Sequence, residues 1–215
     1  MLYKMSKDNR DRLDRILKKV DYLKCLDKEY TVFGAQKHQY LFGKPLAEDV
    51  IIDFEKKYNV KLPWDYKLFM MEAGNGGAGP FYGIEPLEKC LFSDLDHPDE
   101  KYELDPSVPF PHRDAWNIDF DWDQEGDEDR ENFETDYYDS KHITGAIRIC
   151  NFGCAHFINL VVNGEEYSQV WSDDRGSDYG IYPFNYYKVK DKERLSFFDW
   201  YEAWFDQYIA EMESS

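Results

Sequence analysis

Cysteine is scarce in this chain of 215 residues, and Cys25, Cys90, Cys150 and Cys154 are scattered along it. Four thiols so placed cannot make a disulfide framework, so free cysteines in a reducing compartment are expected. Long apolar runs are missing too, none approaching the roughly 20 residues that a membrane helix needs. The opening stretch, MLYKMSKDNRDRLDRILKK, has no uninterrupted apolar core and no small-residue cleavage site, and so does not read as a secretory signal. The expectation is a cytoplasmic protein with no membrane partner. Basic residues are outnumbered 26 to 44 by acidic ones, giving a net charge of -18. Such a field repels phosphate backbones and anionic headgroups, which argues against nucleic acid and leaves a basic protein as the fitting partner. Charge of this size also serves solubility alone, and composition does not choose between the two.

Aromatic residues are abundant: 17 Tyr, 15 Phe and 6 Trp make 18% of the chain. They supply large burying side chains and exclude a disordered, merely solvating acidic protein. From Asp8 to Leu23, apolar Leu13, Ile16, Leu17, Val20 and Leu23 recur at helical spacing among charges. A second helix is predicted over Leu46–Tyr58, with Ala47, Val50, Ile51, Phe54 and Tyr58 on one face. A third starts at Pro63 and is expected to stop at a left-handed Gly74. Ser196 and Asp199 can form a capping box for a closing helix to Met212, whose Phe197, Trp200, Tyr201, Trp204, Phe205, Tyr208 and Ile209 form a wide aromatic stripe. That stripe reads as core.

Between the third and closing helices the chain reads as strands. Phe81–Ile84 and Ala146–Asn151 are candidates, and HFINLVV-NG-EEYSQVW predicts a hairpin with Asn163-Gly164 in a type I′ turn. A Pro-, Asp- and Glu-rich segment interrupts this region between Cys90 and Lys141. From Asp119 to Asp139 it holds eleven acidic residues and one basic residue, Arg130, which concentrates over half of the net charge in about a tenth of the chain. It reads as a solvated insertion within one domain.

Three motifs invite a chemical reading, and each falls short. GNGGAG places Gly74, Gly76 and Gly79 at dinucleotide-binding spacing, but it follows a helix where that chemistry needs a helix to begin. Asp121, Asp123, Glu125 and Gly126 fit the start of a calcium loop, but its twelfth position is Asn132 where a bidentate Glu is required. Cys154 and His156 would share one face of a strand, yet no third group orients them, and no ligand pair stands at zinc spacing. No metal site, cofactor or catalytic residue is therefore assigned.

Two stretches, FEKKYNVKLPWDYKLFMMEAGNGG and ICNFGCAHFINLVVNGEEYSQVWSDDRGSDYGIYPF followed by SFFDWYEAWFDQY, resemble the SUKH superfamily. That group joins fungal Smi/Knr-type cell-wall regulators to many bacterial immunity proteins. The resemblance rests on Leu62-Pro63, Asn75-Gly76-Gly77, Gly153, Val170-Trp171 and the terminal aromatic helix, and runs from about Ala47 to Tyr208. It implies a single α+β domain with a mostly antiparallel sheet flanked by helices. Residues 1–44 then form an extra N-terminal helical extension, and residues 45–215 a SUKH-like domain with an acidic insertion at about 91–141. The resemblance also implies a non-enzymatic immunity protein that neutralises a cognate polymorphic toxin, often a nuclease, of the bacterial kind. A regulatory scaffold of the Smi/Knr type is the alternative, and a calcium-binding module comes third. The partner surface is expected at Asp119, Asp121, Asp123, Glu125, Asp127, Glu128, Asp129 and Glu131, with Trp116, Trp122, Tyr137 and Tyr138 as aromatic anchors. Those aromatics would equally serve to pin the segment to the body.

Overall fold

The computed structural model describes residues 7–96, 103–120, 126–186 and 189–214. Among these, helices α1 (Lys7–Leu26), α2 (Ala35–His38), α3 (Glu48–Tyr58) and α4 (Trp64–Glu72) precede α5 (Asp127–Tyr137). Strands β1 (Ala146–Gly153), β2 (His156–Val161), β3 (Val170–Asp174) and β4 (Gly180–Pro183) follow, and α6 (Phe197–Ser214) comes after them. The strands form an antiparallel meander in the order β1-β2-β3-β4. The α+β arrangement expected from sequence is the one observed.

The aromatic stripe of α6 is the centre of the core. Phe197, Trp200, Tyr201, Trp204 and Phe205 are all fully buried, and Tyr66 and Phe69 of α4 meet Phe197 edge-on with ring centroids 5.2 Å apart. The predicted capping box forms: Ser196 N–H donates to Asp199 Oδ2 at 3.1 Å, and Asp199 N–H to Ser196 Oγ at 3.4 Å. On its other side α6 packs against α1, which buries Leu13, Ile16, Val20 and Leu23. Ion pairs line this seam. Arg12 reaches Asp199 at 2.9 Å and Glu202 at 3.0 Å, while Lys19 reaches Glu202 at 2.8 Å and Asp206 at 2.6 Å.

Pairing partners across the sheet share a face, and alternate residues along each strand take opposite ones. Arg148, Asn159 and Trp171 therefore look one way, with Phe157, Asp173 and Ile181; Ile147, Leu160 and Val170 look the other, with Ile158, Ser172 and Tyr182. The first face is covered by the segment before β1, where Phe110 meets Trp171 edge-on at 4.9 Å. The second faces the helices, and Phe184, just past β4, packs on Trp200 at 6.2 Å.

Four expectations need correction. Gly74 is not left-handed; α4 ends through Ala73, and Gly74 is required because a Cβ there would lie 2.3 Å from the Gly43 carbonyl oxygen. Phe81–Ile84 is not a strand: Phe81 turns at φ 54°, and only Ile84 forms isolated bridges, to Gly77 and Cys150. β2 and β3 do pair as a hairpin, but not through a type I′ Asn-Gly turn. Residues 162–169 form a longer loop, because the Asn163 carbonyl accepts from Phe110 N–H (2.9 Å) and its side chain donates to Ser107 O (2.7 Å), drawing the dipeptide onto the preceding segment. Finally, part of the acidic segment, read from sequence as a solvated insertion with no helix of its own, is helical, as α5.

Candidate binding surface

Six acidic residues and one arginine occupy the eleven positions of α5, DEDRENFETDY. Like charges three and four apart oppose a helix by a few tenths of a kcal/mol per pair, roughly, so local propensity does not account for α5. Two tertiary devices hold it. The first is aromatic: Phe133 and Tyr137, four residues apart, present one face to a stack of rings. Phe120 lies 4.4 Å from Phe133, Phe133 is 4.9 Å from Tyr137, and Trp116 stacks on Tyr137 at 5.6 Å and on His142 at 4.2 Å. Trp116 itself is tied to the sheet by paired backbone hydrogen bonds of 2.7 Å with Ile181 of β4.

The second device is a buried charge network. Asp173 accepts from Arg148 (2.8 Å) and twice from Arg175 (2.7 and 2.8 Å), and all three side chains are buried. Burial alone would raise the Asp173 carboxyl, but the two guanidinium groups outweigh it and hold the group well below the usual carboxylate range. Arg175 also donates to the carbonyls of Tyr137 (2.7 Å) and Asp139 (3.1 Å). Its positive charge thus sits against the C-terminal carbonyls of α5, where the helix dipole favours it.

With that side fastened, the acids face water. Glu128, Asp129 and Glu131 are exposed, as are Glu134, Asp136 and Asp139, and Asp119 is exposed just before the stack. Lys141 pairs with Asp136 at the edge of this face. Of the aromatic candidates, Tyr137 is buried at 1% exposure, its hydroxyl donating to Asn117 Oδ1 at 2.6 Å, and burial pushes its pKa up to about 12. Trp116 is half-buried, which among the described candidates leaves Tyr138, 49% exposed, as the ring that meets solvent. Asp121, Trp122, Asp123 and Glu125 lie outside the described residues, as do the first five positions of the calcium-like loop; Asp127 opens α5. Among the described residues, no group of three or more His, Cys, Asp and Glu side chains could hold a metal ion. Cys154 sits exposed in the tight β1–β2 turn at φ 55°, not on a strand beside His156.

The fold also assembles a groove that sequence reasoning missed. Phe33, Tyr82, Phe152, His156, Asp174 and Tyr182 converge from well-separated segments around a cavity of about 410 Å³ at the end of the helix-facing side of the sheet. Burial lowers the His156 imidazole, partly offset by Asp174, so the ring is neutral at physiological pH. The only local sign was the alternation of β2 and β3, which puts His156, Ser172 and Asp174 on one face.

An acidic helix fixed on an aromatic bed, with an aromatic groove beside it, lies on the α+β domain. The chain belongs to the SMI1/KNR4 family (SUKH-1), whose family model matches residues 45–200. That span runs from just before α3 into α6 and includes the acidic segment; α1 precedes it. At the family level, membership carries a protein-binding, generally non-enzymatic role of the immunity kind. Comparison with curated proteins and with solved structures gives no match. No described helix is long and apolar enough to cross a membrane.

Proposed function

We propose that this protein is an immunity protein that binds and neutralises a cognate polymorphic toxin, a nuclease being the fitting class, through its acidic face. The observation that carries the reading is the exposure of Glu128, Asp129, Glu131 and Glu134 on a helix whose opposite side and C-terminus are immobilised. Preorganised acids match the basic face with which a nuclease holds its phosphate backbone, and clustered charge raises association rates by roughly 10- to 1000-fold at low salt. Tyr138 stands beside them as the aromatic contact. A Smi/Knr-type scaffold would share the family match but engage several cellular partners.

The test is kinetic. With the cognate toxin, the variant Glu128→Gln/Asp129→Asn/Glu131→Gln/Glu134→Gln should associate more slowly at low salt and lose most of the parent's salt dependence, while dissociation changes little. Equal association rates at low salt would remove α5 from the interface.

A further inference from the structure

The groove holds a carboxylate that the rest of the fold leaves incompletely satisfied. Asp174, at the end of β3, is 8% exposed, and its Oδ1 has no hydrogen-bond partner among the described residues. Oδ2 accepts from the Tyr182 hydroxyl at 3.3 Å and lies 3.7 Å from His156 Nδ1. The imidazole brings it no positive charge, being neutral and engaged with Ser172 Oγ at 3.2 Å through Nε2. Arg148 and Arg175 are committed to Asp173 on the opposite face of the sheet. Lys37 lies outside the groove, over the Tyr82 ring at 5.3 Å and near Glu85 at 3.5 Å. No described lysine or arginine lines the cavity.

Around this carboxylate the walls are aromatic. Phe33 packs at 5.3 Å on Tyr82 and at 5.7 Å on Phe152, which stacks on His156 at 4.6 Å. Tyr186 stands at the rim, 70% exposed. Aromatic faces carry negative potential, and a buried carboxylate oxygen without a donor is costly. Both conditions are met by one kind of group, a cation with a flat, weakly hydrated surface and N–H donors at its edge. The volume of about 410 Å³ lies within the roughly 300–1,000 Å³ of small-ligand clefts and is open at the rim, as a side chain entering from another protein requires.

We infer that this groove receives an arginine side chain of the partner protein, its guanidinium stacked among Phe33, Tyr82 and Phe152 and donating to the Asp174 carboxylate. The inference rests on the protein-binding reading above and adds a second, specific contact to the diffuse attraction of the acidic face. Arginine fits better than lysine because its planar head stacks and donates at once, whereas an ammonium remains strongly hydrated. The groove and α5 are joined through the Arg175–Ser177 turn, where Tyr138 donates to Arg175 O at 3.3 Å, so one basic partner can span both.

The full chain, isotope-labelled for NMR, can be titrated with N-acetyl-arginine N-methylamide and separately with its citrulline and lysine counterparts. The arginine probe should shift amides of residues 152–156, 172–174 and 182–186, binding at least tenfold more tightly than the neutral, isosteric citrulline. Asp174→Asn should lose at least tenfold in affinity, and so should Tyr82→Leu, which leaves the carboxylate in place and guards against a folding artefact. Citrulline binding as tightly as arginine, lysine binding as tightly as arginine, or shifts centred on α5 would each overturn the assignment. The titration uses no toxin, so its failure and the failure of the acidic-face experiment are separate results.

Discussion

Replacing Asp173 with asparagine should strand two guanidinium groups inside the protein. Asp173 is 2% exposed and is the shared acceptor of Arg148 and Arg175, themselves 2% and 5% exposed. Asparagine keeps the shape and one acceptor oxygen but removes the charge. Breaking a buried ion pair by deleting one partner costs about 3–5 kcal/mol, and the loss should lie toward the top of that range because one carboxylate serves two cations. Against a total stability of about 5–15 kcal/mol, this is a large fraction. Urea unfolding followed by tryptophan fluorescence reads it as a shifted midpoint with an unchanged slope. Arg175→Met should cost less, since Asp173 keeps Arg148, but it frees the carbonyls of Tyr137 and Asp139, so α5 amides should exchange faster. The sign with pH follows from the depressed Asp173 carboxyl. Its stabilisation is complete above the unfolded-state value of about 3.9 and is lost as pH falls through the lower folded value. Parent and Asp173→Asn should therefore converge in stability as the solution is acidified below about pH 4. A gap under about 1 kcal/mol at neutral pH, or one that stays constant on acidification, would refute the reasoning.

Trp200→Ala, at a site with no exposure, should cost about 3–5 kcal/mol in the same urea assay. Gly34→Ala should prevent normal folding, because a Cβ at φ +83° would lie 1.7 Å from the Phe81 carbonyl oxygen; an unchanged thermal midpoint would contradict this. Glu55 is buried and accepts from Leu62 N–H (2.9 Å), Lys61 (2.8 Å) and Lys67 (3.0 Å). Glu55→Gln should lose about 1–3 kcal/mol, measured by urea unfolding at neutral pH.

Elements that bury one stripe were legible in the sequence. α1 and α6 could be read from Leu13, Ile16 and Val20, and from Trp200, Trp204 and the Ser196–Asp199 box, because periodicity records burial directly. α5 was not legible: acids dominate its sequence, and what holds it is Arg175 and Trp116, far away along the chain. Asn163-Gly164 misled for the same reason, its local turn preference being overridden by Phe110 and Ser107. The acidic half of the candidate surface showed in composition. The groove did not, since Phe33, Tyr82, Phe152 and Asp174 meet only once the fold exists.

The seam between α1 and α6 bears on how the molecule is made. Arg12 and Glu202 are 190 positions apart yet bonded at 3.0 Å, and the buried stripe of α1 rests on α6. A ribosome therefore delivers Leu13, Ile16, Val20 and Leu23 long before it delivers the surface that covers them. Until then the apolar side of α1 lacks its main cover, and the loop to be closed spans about 190 positions. Closure of this seam thus waits for α6, and it is before α6 emerges that these residues are most exposed to aggregation and to chaperone capture.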